Sequence, residues 1–357
     1  MIYFTILLLW SIYIFIKENE TGNHISKAPY IILLCMFVLC AFRGPTVCVD
    51  TQHYIDLLHS YNMGEKFGWF YGLLQKISNQ VNSQQLFFIV TASLTYYPLY
   101  YITKKESPIP IVSVLVFMVG GGLFLETFNL VRQSIAIQFV LLAMYFIKQV
   151  KYKYTVLSLF LAFSFHKIIL LTIPFLFLHK CYLNKKITFS ILTASVIVGL
   201  SGTMEYVSEM LMYLNTVSNS SETGTFAQQF GSYANSGEYI GQWGIMGKLV
   251  NMIPMTLMCI VCHRSKEYNS IYYNMMLFGT ILLNVFIDSS FCMRFSTILS
   301  ISSVIAIPIA LKNSNSKQSI YIYVALAVSI IVYLRVLIGY YTDPNSLGVI
   351  PYHFCFE

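Results

Sequence analysis

Residues 126–147 read ETFNLVRQSIAIQFVLLAMYFI, and this stretch decides what kind of molecule the chain builds. Its second part, 135–147, is almost wholly apolar, as a membrane helix is. Its first part is not. Asn129, Arg132, Gln133 and Ala136 recur at i, i+3, i+4 and i+7, the spacing of one helical face. Glu126 lies one turn earlier. A face of amide, guanidinium and amide at the start of a membrane helix is costly unless it meets polar partners. A helix N-terminus also favours an anion. Capping accounts for Asn129 but not for Arg132 and Gln133 together.

Working outward, comparable apolar runs lie near 1–16, 30–42, 86–103, 110–125, 154–165, 168–178, 187–201, 248–262, 271–287, 295–311 and 319–340. Composition agrees: 57% of the 357 residues are hydrophobic, 10% are charged, and mean hydropathy is +0.65. Soluble proteins carry roughly 25% charged residues, so too little polar surface exists here for a water-soluble body. The expectation is an all-α polytopic membrane protein of about 12 transmembrane helices. Residues 1–357 form a single transmembrane domain, with two long loops at 43–85 and 202–247. The runs 154–165 and 168–178, split only by His166 and Lys167, read as one long span or a re-entrant pair. The first run has no basic segment before it and no small-residue cleavage site, so it reads as an uncleaved span.

Orientation follows from the basic residues. The short loops 17–29, 104–109, 148–153, 179–186, 263–270 and 312–318 hold 14 of the 22 lysines and arginines and are assigned to the cytoplasm. Both termini and both long loops then lie outside. Of five arginines only Arg264 is inside; Arg43, Arg132, Arg294 and Arg335 fall on or near the outer side. Topology needs only positive charge, which lysine supplies. Arginine adds a planar fork suited to phosphate or carboxylate. The plain alternative is snorkelling or internal ion pairing.

The remaining features are weaker. In 67–77 apolar residues at helical spacing suggest a helix lying on the interface. The stretch 202–247, rich in Ser, Asn, Gly and Tyr, suits carbohydrate as well as it suits a solvated loop. Cys259 and Cys262 form a C-x-x-C without a second pair, so packing is the simpler reading. The net charge of +7 is spread over cytoplasmic loops, which argues against nucleic acid. No P-loop, H-E-x-x-H, dinucleotide glycine pattern or nucleophile elbow occurs, so no cofactor and no metal are indicated.

Three further constellations sit at outer span ends. Arg43-Gly44-Pro45 precedes Asp50-Thr51 and Tyr54; an Arg43–Asp50 pair at a turn is the plain reading. Phe165-His166-Lys167 offers an imidazole that titrates near neutrality, either a general base or a hydrogen-bonded structural residue. Asp288 and Arg294 share a short turn and read as a local ion pair or as another anion ligand.

These residues, in this order, resemble the EpsG family of Wzy-like polysaccharide-repeat polymerases. The resemblance rests on Arg43…Asp50-Thr51-x-x-Tyr54, Asn129-Leu-Val-Arg132-Gln133-Ser134-Ile-Ala136 and Phe165-His166-Lys167, with a less specific Arg294-Phe295. It spans roughly residues 40–300. The segment Glu65-Lys66-Phe67-Gly68-Trp69 fits the family pattern only loosely.

The resemblance implies a GT-C-like fold and a glycosyltransferase in a bacterial inner membrane. It would join polyprenyl-diphosphate-linked oligosaccharide repeats into O-antigen, capsule or exopolysaccharide at the outer face, beside a chain-length regulator and a flippase. Arg43, Arg132 and Arg294 would hold diphosphate, with Arg132 acting on the leaving group. His166, or else Asp50, would be the base. Tyr54, Asn129, Gln133 and Lys167 would position sugar or phosphate. A lipid-oligosaccharide flippase, a membrane O-acyltransferase and a structural scaffold are the alternatives. A flippase predicts charge facing both sides, an acyltransferase a cytoplasmic entry, and a scaffold leaves the polar face at 129–133 unexplained.

Overall fold

A computed structural model describes residues 1–22, 27–59, 68–120, 122–181, 183–202, 244–263, 270–342 and 348–357. The described residues are nearly all helical. Their one extended pairing is an isolated antiparallel bridge between Arg43 and Phe354.

Among the described residues, five helices are long and apolar enough to cross a membrane unaided. They are α1 (Ile2–Thr21), α5 (Gln84–Glu106), α8 (Val131–Lys148), α12 (Ile245–Cys262) and α16 (Ser316–Thr342). Two bent pairs raise the number to seven. In one, α6 (Pro110–Val119) and α7 (Leu123–Asn129) meet at 56°; in the other, α14 (Ser290–Ser300) and α15 (Ser303–Lys312) enclose a 43° bend. Three shorter apolar helices complete the set: α2 (Ala28–Ala41), α9 (Tyr152–Phe165) and α13 (Ile271–Val285). The chain is therefore a multi-pass helical membrane protein, with five to seven full-length spans among the described residues where about 12 were expected. Several apolar runs make helices that are short or broken.

Burial ranks the spans. In α8, 72% of the apolar window is buried, against 28% in α1 and 33% in α16. α8 is the central helix, and it carries two buried glutamines, Gln133 and Gln138. The outer helices turn Ile6, Leu9, Val324 and Ile331 to the surface, where lipid replaces water as the favoured neighbour.

The stretch 152–180 is not one long span. α9 stops at Phe165, His166 takes an extended backbone (φ −151°, ψ 114°), and the chain returns through a 3-10 turn (Lys167–Thr172), the five-residue α10 (Ile173–Phe177) and a second 3-10 turn (Leu178–Lys180). The returning limb ends where Asn274 of α13 donates its amide to the carbonyls of His179 (2.7 Å) and Cys181 (3.0 Å). His166 is thus the tip of a thin hairpin.

The two ends of the bundle differ. Lys148 pairs with Glu106 at 2.5 Å and Lys104 donates to the Tyr100 hydroxyl at 3.0 Å at one end. At the other end lie both chain termini. Tyr3 packs edge-on to Tyr352 and Phe354, with centroids 5.5 and 5.4 Å apart. The C-terminal segment is strapped to the exit of α2: Gly44 N–H donates to His353 O and Cys355 N–H to Phe42 O, both at 2.9 Å. A Cβ on Gly44 would meet the His353 ring, which would have to turn away from the strap.

The expected loop 43–85 contains two helices, α3 (Val49–Leu58) and α4 (Trp69–Gln80). The helix foreseen over 67–77 is α4. It buries Tyr71, Leu74, Gln75 and Ser78 and exposes Trp69, Leu73 and Ile77. Gln75 and Asn79 donate to the carbonyls of Leu57 and Leu58 at 2.9–3.1 Å, which ties α4 to the end of α3. Most of the second loop, 203–243, lies outside the described residues, as do Glu65 and Arg264.

Candidate functional site

The polar face at 129–133 is not a face of one helix. The helix breaks at Leu130 (φ −89°, ψ 53°), so Asn129 ends α7 and Arg132 and Gln133 open α8. No side chain caps α8, so Asn129 does not serve as its cap. A tertiary contact meets the break. In a continuous helix the Thr127 carbonyl would accept from residue 131. Here it accepts from Arg43 Nη1 at 3.4 Å, while the Tyr96 hydroxyl lies 3.2 Å from Thr127 Oγ1. A charged donor from α2's exit thus satisfies a carbonyl that the break would orphan.

Around this break the outer-end residues converge. Tyr54, buried on α3, is hydrogen-bonded to Arg132. Burial raises the phenol above its ordinary range, and Arg132 beside it pulls the other way. Asp50, one turn earlier, is half-buried. Burial lifts its carboxyl above the usual range, opposed by His53, Arg294, Arg43 and Arg132 in that order. Three guanidiniums therefore act on one carboxylate. Arg294 also acts on Glu126, and Arg132 and Arg294 both act on His166.

His166 sits between helices at the hairpin tip. Burial, and then Arg132 and Arg294, lower its pKa to about 3. The ring is neutral at physiological pH, and its Nδ1 is buried without a hydrogen-bond partner among the described residues. Lys167 beside it is exposed. The hairpin tip is fixed by aromatics: Phe165 packs on Phe70 (4.5 Å), Tyr71 (5.9 Å) and Phe139 (6.0 Å), and Tyr71 stacks on Tyr54 at 6.5 Å.

Two expected local pairs are not formed. Asp288 meets Lys248 of α12 at 2.5 Å, in a buried ion pair, not its neighbour Arg294. Arg294 is left to Glu126, Asp50 and His166. Arg43, 2% exposed, does not bond to Asp50: its guanidinium lies between the Phe88 (4.6 Å) and Phe128 (5.7 Å) rings. Arg335 is exposed on α16 and perturbs none of these groups. The four arginines that the sequence assigns to the outer side thus reduce to three in the cluster.

Gln133 is buried and donates to the Arg294 carbonyl at 2.8 Å, so it fixes the helix that presents Arg294. Glu126 was not among the expected site residues, although a lone carboxylate in LFLETFN is a visible signal. Among the described residues, no three His, Cys, Asp or Glu side chains converge as metal ligands.

The EpsG family model matches residues 27–354. This chain belongs to the EpsG family. The match covers nearly the whole chain, including every element of the cluster just described. Members of the family are Wzy-like polymerases, and membership assigns this EpsG-family chain a polysaccharide-polymerase role in general terms. No curated protein and no solved structure matches it.

Proposed function

We propose that this EpsG-family protein is a metal-independent glycosyltransferase that joins polyprenyl-diphosphate-linked oligosaccharide repeats at the outer face of a bacterial inner membrane. Both termini and the arginine-bearing end face outward, and the chain crosses the bilayer about 12 times by counting its short and broken limbs as crossings. Its product is an O-antigen, capsule or exopolysaccharide. The carrying observation is that Arg132 and Arg294 both act on Asp50 and His166, and Arg294 on Glu126 as well.

Glycosyl transfer from a lipid diphosphate breaks the bond between the anomeric carbon and a phosphate oxygen, and negative charge grows on that oxygen. Guanidiniums held in a half-dry site stabilise that charge without reorganising. Arg132, hydrogen-bonded to Tyr54, and Arg294, whose carbonyl accepts from Gln133, take this role in the proposal, and Arg43 adds its field from behind. The acceptor hydroxyl must lose a proton as it attacks. A neutral His166 accepts one more readily once the diphosphate offsets the two arginines that depress it. Asp50 is the second candidate base. Asn129 and Lys167 position sugar or phosphate.

The test is polymerisation in vitro by the purified protein with one defined lipid-linked repeat, in the presence of chelator. A ladder of chain lengths supports the reading. Unchanged repeats, with protein that still binds them, overturn it.

A further inference from the structure

Beside the arginine cluster lies a second recess to which Arg132 and Arg294 do not contribute. It is a cavity of about 430 Å³ between α3, α4, the start of α5 and the C-terminal strap. That size is within the range of small-molecule sites, roughly 300–1,000 Å³. Arg43 and Ser78 form its floor, and His59, Asn82 and Gln84 its rim. The floor residues are buried, at 2% and 3% exposure, and the rim residues are exposed.

The floor carries unspent hydrogen-bonding capacity. Arg43 uses Nη1 on Thr127 O, but its Nε and Nη2 have no partner among the described residues, nor has Ser78 Oγ. A buried guanidinium with two idle donors is expensive unless an anion completes it. The rim is amide and imidazole, the kind of lining that meets hydroxyls. Gln84 Nε2 donates to His59 Nε2 at 2.9 Å, which leaves the Gln84 carbonyl oxygen to accept. Phe88, beneath the Arg43 guanidinium, also lines the cavity. Arg43 is the only Lys or Arg among the lining residues described. One guanidinium matches a single negative charge, whereas a diphosphate calls for the paired arginines next door.

We propose that this cavity is a subsite for a carboxylate-bearing sugar, with Arg43 binding the carboxylate and the rim amides the ring hydroxyls. It assigns Arg43 to glycan recognition and leaves the leaving group to Arg132 and Arg294. That the bound sugar belongs to the oligosaccharide being polymerised rests on the function proposed above; the binding itself does not.

The experiment is equilibrium binding to the full chain in nanodiscs, without turnover, using three soluble probes. They are a glucuronosyl disaccharide, its neutral glucosyl counterpart and citronellyl diphosphate. Wild type should bind the uronate at least about tenfold more tightly than the neutral sugar. Arg43→Gln should abolish that preference, Asn82→Ala with Gln84→Ala should weaken both sugars, and Arg132→Gln should change neither. The rim double variant lies on the surface and keeps the test decisive if Arg43→Gln does not fold. Equal binding of the two sugars by wild type, or wild-type uronate binding by the rim variant, overturns the proposal. So does loss confined to citronellyl diphosphate in Arg43→Gln, which would make Arg43 a third diphosphate ligand. A polymerase that fails in vitro but passes this binding test would sink the proposed function and leave the subsite standing.

Discussion

The two ends of this bundle both carry cations, yet they use them in opposite ways. At one end lysines sit near helix C-termini beside a hydroxyl, a carboxylate or an aromatic face: Lys104 on Tyr100, Lys148 on Glu106, Lys17 over the Tyr13 ring. Lys104 and Lys17 find partners on their own helices, Lys148 on the neighbouring helix, and all three have open solvent nearby. At the other end arginines reach across the fold. Arg43 leaves α2 to hold a carbonyl of α7, Arg132 meets Tyr54 of α3, and Arg294 acts on Glu126, Asp50 and His166 from three other elements. The contrast separates charge that orients a chain in a membrane from charge that is organised to act on something.

The hardest way to break that contrast is to turn one end into the other. Arg132→Lys keeps the charge and loses the fork. Polymer synthesis should fall by about 10³-fold, the upper range for removing one transition-state donor. Single lipid-linked repeats should persist on the outer leaflet. Repeats trapped on the inner leaflet would favour transport over polymerisation. His166→Ala should lower turnover by about 10²-fold, the lower range for general acid–base catalysis, with lipid-substrate binding nearly unchanged. Full activity in that variant removes His166 as the base.

Asp50→Asn sharpens the contrast by splitting stability from activity. The Asp50 pKa is raised in the fold, so its ionised form costs stability above that pKa. The variant should melt higher than wild type at neutral pH. The gain should shrink as pH falls through the raised value toward the ordinary aspartate pKa of about 3.9. Polymerisation should fall at the same time. His166 has the opposite sense. Held neutral, it makes the wild-type fold lose stability as pH drops below about 6.5. Loss of that acid-side slope in His166→Ala is the check. The smallest effect belongs to the lysine end: Lys105→Gln or Lys312→Gln should leave polymer yield within about twofold, since exposed pairs contribute little. A large loss there would erase the distinction.

Much of the site was legible because its residues are out of place in an apolar chain. Arg132 and Gln133 inside a membrane run, and His166 between two runs, are costly enough to mark themselves. What could not be read was direction. The break at Leu130 carries no proline or glycine, and the donor that meets the Thr127 carbonyl there is Arg43, 84 residues away. Asp288 chooses Lys248, 40 residues away, over its neighbour Arg294, which packing of α12 against the end of α13 decides. Short apolar runs look alike whether they finish a span or bend, so the runs 110–125 and 295–311 read as plain helices and proved to belong to bent pairs.

One feature of the fold bears on the lipid around it. The hairpin that carries His166 has a 14-residue helix as its first limb, about 21 Å at 1.5 Å per residue. Bilayer hydrocarbon is about 30 Å thick. The membrane against α9 must therefore thin or be breached by polar headgroups, and hydrophobic mismatch makes that progressively dearer as acyl chains lengthen. On the function proposed above, a lipid-linked sugar reaching the arginine-bearing end along this side would lie in a thinner layer than one beside the 27-residue α16, so bilayer thickness would bear on access to that end.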